Sequence, residues 1–180
     1  MPWQRYLGPL PGARRPPGLT DFGRRVIERM ENLGIVVDVA HADRSTAMDI
    51  VGASTHPVIA SHTGARACQD FARYLRDDEA VAIARTGGVI GLWPYRHRKQ
   101  GVANPAEFEA HAWHLAGVVG PEHLCIGTDM NGVPGVMEGF HGERDFHRLT
   151  EILASLRLSE SERSGIAGDN LVRVLATVMG

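Results

Sequence analysis

The sequence predicts an α/β chain of parallel β/α units, the building blocks of β/α barrels. Three observations carry that expectation. Short β-branched runs alternate with amphipathic helical segments from about residue 18 onward. The runs are apolar on both faces, as strands buried in a parallel sheet are. Their carboxyl ends repeatedly deliver a residue able to bind a metal or move a proton. Helices between successive parallel strands imply right-handed crossovers.

Residues 1–17 are crowded with Pro, Gly and Arg and read as an extended arm, ahead of one domain at 18–180. Thr20 is the expected N-cap of the first helix. In DFGRRVIERMENLG, Phe22, Val26, Met30 and Leu33 recur at helical spacing as a buried face, and Gly34 ends the helix. Strands are expected to begin near Ile35, Pro57, Gly88 and Leu124, with helices between them at about 44–53, 77–86 and 105–118. Two more helices should follow at about 143–156 and 159–178. In the second, Asn170 marks a helix start and Leu171, Val174, Leu175 and Val178 turn inward.

A chain of 180 residues with 43% hydrophobic and 22% charged content suits one globular domain with a core. A formal charge of −2 gives no electrostatic reason to expect nucleic acid or an anionic membrane as a partner. No window is long and apolar enough for a membrane span, and the N-terminus lacks the apolar core of a signal peptide. The expected location is the cytoplasm. There, Cys68 and Cys125 would stay reduced, with Cys125 buried in its strand.

The four runs close at His41, at His62, at Trp93 with Pro94, and at Asp129. In a β/α barrel the carboxyl end of the strands is the active-site face. One histidine after a strand is usually a hydrogen-bonded loop residue, but two at equivalent strand ends point to a metal. Asp129, ahead of Asn131-Gly132, would alone be turn chemistry; in register with the histidines it becomes a candidate. Asp38 should point away from His41 by strand alternation, either supporting the ligands or facing the helices. Asp43 suits an N-cap. His111 and His114 read as outward polar residues of an amphipathic helix, and His97 in YRHRKQ as part of a solvated loop.

GLTDFGRRVIERMENLGIVVDVAH, PVIASHTGARA, the arginine of FARYLRDD, IGTDMNGV and GDNLVRVL together resemble the second half of the membrane (renal) dipeptidase family, binuclear zinc hydrolases on a β/α barrel. The likeness runs from Gly18 to the end. It implies the second half of a TIM-type (β/α)8 barrel and metal-dependent hydrolysis of a dipeptide. His41 and His62 match the two histidine ligands of one zinc. Arg73 matches the arginine that grips the substrate's carboxylate, for which a planar cationic fork is suited. Asp129 matches the carboxylate that handles the bridging water or the substrate amine.

The chain departs from the family pattern at Asn131, usually Asp; at Tyr74, usually Asn; and at Gly64, usually Ser or Asn. These changes are expected to alter substrate fit. The family also uses a His-x-Asp pair on its first strand and a glutamate bridging both metals. The one literal match, His41-Ala42-Asp43, lies at the fifth-strand position, where His41 already has its role. One zinc per chain is therefore the expected maximum. Four strands leave two open edges and an uncovered interior face. The expected remedy is pairing, as a homo-oligomer or with a separate N-terminal half. Two alternatives stand beside this reading: a non-catalytic truncated remnant or binding module, and a mononuclear amide or lactone hydrolase.

Overall fold

The first helix starts where a hydroxyl can cap it. Thr20 accepts the Gly23 N–H at 3.0 Å, and α1 runs Asp21–Asn32. In this computed structural model, residues 18–97 and 99–180 are described; the arm expected at 1–17 lies outside them. The chain continues through β1 (Val37–Asp38), α2 (Arg44–Ala53), β2 (Val58–Thr63), α3 (Asp77–Arg85) and β3 (Ile90–Leu92). A small hairpin follows, β4 (Arg96–His97) and β5 (Gln100–Gly101), where the basic run was expected to be a plain loop. Then come α4 (Pro105–Val119), β6 (Leu124–Ile126), α5 (Phe146–Ala154), α6 (Glu160–Ser164) and α7 (Asn170–Met179).

Strands β1, β2, β3 and β6 form one parallel sheet in that order, which is the predicted series of β/α units. One face carries Val37, Val58, Ala60, Ile90, Leu92 and Leu124. These belong to the main core together with Ile27 of α1, Ile50 of α2, Ile83 of α3, Phe108 and Leu115 of α4, and Leu149 and Leu153 of α5. Asp43 caps α2 as expected, accepting the Thr46 N–H, and Asn104 caps α4 ahead of Pro105.

The buried face of α1 differs from the expected one. Gly23 and Ile27 are buried while Phe22 and Leu33 are each 54% exposed. Both stripes have helical spacing; Gly23 decides between them by letting the Leu19 side chain lie against the helix where a Cβ would clash.

The other face of the sheet is not left bare. The expected 159–178 helix breaks into α6, a π turn at Gly165–Asp169 and α7. At the break, Asn170 Nδ2 donates to the Pro121 and Leu124 carbonyls at 2.9 Å each. Arg173 donates to the Gly87 and Glu122 carbonyls, also at 2.9 Å each. These acceptors lie at the amino ends of β3 and β6, and Gly34, ahead of β1, packs against the Val178 carbonyl. Helix α7 therefore runs along the amino ends of the strands. Val174 and Val178 form a second core there with Val89, Cys125, Val36 and Ile59. This corrects the expected uncovered interior face: its lower part is covered. Leu175, expected inward, is 36% exposed.

Cys125 is buried and unpaired, and burial pushes its thiol up to about 12. Among the described residues no helix is long and apolar enough to cross a membrane.

Candidate metal centre

At the carboxyl end of the sheet the chain brings together His41, His62 and Asp129, with one ligand atom from each lying within 4.8 Å of the others. His62 sits on β2 itself. His41 and Asp129 come from the turns that follow β1 and β6. The turn after β1 is closed by Ala42 N–H donating to the Val39 carbonyl, with His41 at φ 71°. Asp129 has φ 50°, in a turn closed by Gly132 N–H to the Asp129 carbonyl at 3.0 Å. Left-handed backbone is costly for residues with a Cβ and clusters at functional sites. Gly132 leaves room for the Asp129 carboxylate, which a side chain at 132 would displace.

His41 Nε2 and His62 Nε2 are 2.8 Å apart, and Asp129 Oδ2 lies 3.6 Å from His62 Nε2. Arg73 Nη2 donates to His41 Nε2 at 3.2 Å from an exposed loop, whose backbone is tied to β2 by Thr63 Oγ1 donating to the Arg73 carbonyl. Ser61 Oγ meets His62 Nδ1 at 2.8 Å. A hydroxyl can donate or accept there, so His62 can change tautomer without moving and present an Nε2 lone pair to a cation. Burial lowers the pKa of both imidazoles; Arg73 and His62 lower His41 further, while Asp129 and Asp38 oppose the shift at both rings. Both rings are therefore neutral, as ligands must be, to a lower pH than free histidine. Two neutral imidazoles and a carboxylate converging at an open strand end make a donor set suited to zinc or a similar divalent metal.

The sequence-predicted residues His41, His62, Asp129 and Arg73 thus converge. Trp93, which closes the third strand, has no ligand role. Its ring meets His62 edge-on at 4.9 Å and stacks on Tyr95 at 4.1 Å, so it forms a wall of the site with Phe71 and Tyr74.

A sequence model of the family described as membrane dipeptidase (peptidase family M19) matches residues 9–179. The chain belongs to the membrane dipeptidase family. It is 31% identical over 163 residues to dipeptidase 3 of Homo sapiens, covering 89% of this chain and 33% of that protein. With an uncharacterized dipeptidase of Schizosaccharomyces pombe it shares 30% identity over 170 residues, 92% of this chain and 42% of the relative. Among solved structures, a metallo peptidase from Rhodobacter sphaeroides liganded with a phosphinate mimic of the dipeptide L-Ala-D-Ala superposes with a TM-score of 0.82. Its identity is 23%, over 89% of this chain and 47% of that one. The probable dipeptidase PvdM from Pseudomonas aeruginosa also gives 0.82, at 20% identity over 90% and 55%. The fold is thus a set of parallel β/α units of the TIM-barrel type, spanning about half of the solved members and less than half of the curated ones.

Two departures of this membrane-dipeptidase chain explain each other. Tyr74 is buried, and a Cβ at Gly64 would come within 2.8 Å of its ring and 2.9 Å of His111 Nδ1. The large residue at 74 fills the space that a side chain at 64 would need. The pair is a packing exchange beside the site. Asn131, at φ 66°, suits a left-handed turn position.

His111 corrects the outward reading of its helix. It is 5% exposed, and its Nδ1 accepts the Ala65 N–H at 2.9 Å, three residues past His62. His114 does reach outward, to Asp77 at 2.8 Å. Burial holds His111 down at about 4. Above pH 6.5 the folded and unfolded states are both neutral at this ring. Between about 6.5 and 4 only the unfolded state takes the proton, so stability falls as pH falls through that window, by roughly 3 kcal/mol in all. The lowered pKa values of His41 and His62 act with the same sign. Thermal unfolding of the wild type should therefore drop more steeply from pH 6.5 to 4 than that of His111→Asn, whose amide oxygen can accept the same N–H. Parallel curves would show that His111 does not titrate this way.

Proposed function

We propose that this chain is a metal-binding half of a dipeptide-hydrolysing metallopeptidase, with His41, His62 and Asp129 holding one zinc ion and Arg73 receiving the substrate's terminal carboxylate. The convergence of the three donors at the carboxyl end of a parallel sheet is the observation that carries this reading. A divalent ion held there supplies Lewis acidity and a water of lowered pKa. The chain's own residues do the rest. Ser61 and the Trp93 edge fix the His62 ring, and the Trp93–Tyr95 stack walls one side of the space above it. Arg73, on its exposed loop, lies against His41 and can swing toward a carboxylate when a cation takes that nitrogen. Asp43 is spent on its helix cap and is no ligand.

The chain spans less than half of its curated relatives, so turnover is proposed for an assembly. In it, a complementary β/α half closes the sheet edges at β1 and β6. The cytoplasm, where Cys68 and Cys125 stay reduced, is the proposed location.

Equilibrium dialysis of the purified chain against Zn2+ should load about one ion per chain, and uptake should vanish in His41→Ala. Uptake unchanged in that variant overturns the site. Where turnover of dipeptides is measured, Arg73→Met should raise KM for substrates with a free carboxylate and leave carboxyl-amidated ones unaffected; equal effects on both would remove Arg73 from the carboxylate role.

A further inference from the structure

We propose that Asp38 is the positioning residue of the metal centre, one carboxylate oxygen holding the backbone amide immediately before each histidine. The inference rests on the site proposed above and adds to it the element that sets the two ligands relative to each other.

Asp38 Oδ1 accepts the Ala40 N–H at 2.9 Å and the Ser61 N–H at 3.0 Å. Ala40 precedes His41, and Ser61 precedes His62. The backbone needs such a tie at this point. The β1–β2 pairing extends only to Asp38 opposite Ile59, with one further bond from Val39 N–H to the Ile59 carbonyl at 2.8 Å. Beyond it the chain turns away, with His41 at φ 71°. On the other side of β2 the register with β3 shifts between Ala60 and Thr63, so Ser61 and His62 lie within an irregular stretch. The Asp38 carboxylate takes over where the ladder stops. Its bond to the amide two residues on shapes the turn that presents His41, and its bond to Ser61 anchors the irregular stretch that presents His62.

The position of Asp38 fits this role. Val37 and Val39 face the helix layer and are buried, whereas Asp38 is exposed on the opposite face. This settles its orientation in favour of supporting the ligands over facing the helices.

The test uses the full chain, with Zn2+ as the titrant and three variants. Asp38→Ala removes both bonds and should weaken Zn2+ binding by about 10- to 100-fold, the usual cost of losing a group that orients a metal ligand. Asp38→Asn keeps the accepting oxygen without the charge and should stay within about fivefold of wild type. Asp38→Glu keeps the charge but carries it one methylene further, and should bind as weakly as Asp38→Ala. In the metal-free chain, amide hydrogen exchange at Ala40 and Ser61 should be slowed in wild type and Asp38→Asn and accelerated in Asp38→Glu. Should Asp38→Ala not fold, the Asn and Glu variants carry the comparison. Near-wild-type binding by Asp38→Ala or Asp38→Glu, or exchange at the two amides indifferent to the variant, overturns the proposal. A wild-type chain that takes up no Zn2+ would instead overturn the metal site itself, while the exchange data still report on the Asp38 bonds.

Discussion

His62→Ala is expected to lower the affinity of the chain for Zn2+ by about a hundredfold or more. Zinc bound by four protein ligands gains about 10–16 kcal/mol, so one ligand carries roughly 3 kcal/mol, and every 1.4 kcal/mol is tenfold. The candidate set has three donors among the described residues, and without His62 only His41 and Asp129 remain. His62 is also the most firmly held of the three, with Ser61 on its Nδ1 and the Trp93 edge against its ring, so no other orientation of the site compensates for it. Isothermal titration of Zn2+ into the wild type, His62→Ala and His147→Ala provides the measurement. His147, exposed on α5 and bonded to the Arg144 carbonyl, serves as the control and should bind as wild type. Equal affinity in all three would show that the ion binds elsewhere.

Gly91→Ala should be among the most damaging single substitutions outside the ligands. Gly91 lies on β3 opposite Cys125. A Cβ there would fall well inside van der Waals contact with the Ser61 carbonyl oxygen and within 3.1 Å of Gly127 Cα. Both obstructing atoms are backbone, in β2 and just past β6, so no rotamer change relieves the contact and the sheet itself must shift. Overpacking of that kind costs about 3 kcal/mol, which for a domain of this size lowers Tm by roughly 6–12 °C. Because Ser61 precedes His62, metal affinity should fall together with stability. Gly117→Ala is the companion measurement: Gly117 lies on α4 with nothing within 4 Å of its added Cβ, and alanine there should be neutral or stabilising by up to about 1 kcal/mol. A Gly91→Ala protein that melts like wild type would mean that the Ser61 carbonyl does not sit over the strand as described.

Much of this architecture was legible in the sequence because its signals are local. Apolar runs, helix caps at Thr20 and Asp43, and the alternation of strand and helix place the parallel units, and His41 and His62 at the carboxyl ends of successive strands mark the candidate site. What stayed hidden depends on partners far along the chain. The buried role of His111 exists only because a loop amide 46 residues away donates to its ring. The inward Gly23–Ile27 stripe of α1 competes with an equally periodic neighbour, and packing against Leu19 decides between them. The bend that sends α7 under the sheet depends on Asn170 reaching carbonyls 46 and 49 residues away. Gly64 and Tyr74 look like separate departures until their side-chain spaces are seen to be one space.

The left-handed backbone at His41 and Asp129 sets a conformational cost on both side chains. Glycine adopts φ 71° or 50° without the steric cost borne by a residue with a Cβ, a difference of roughly 1 kcal/mol at each position. Selection for stability alone would therefore favour glycine at both. Glycine at either position would relieve that cost and remove a donor atom with it, so stability and cation binding pull in opposite directions at these two residues.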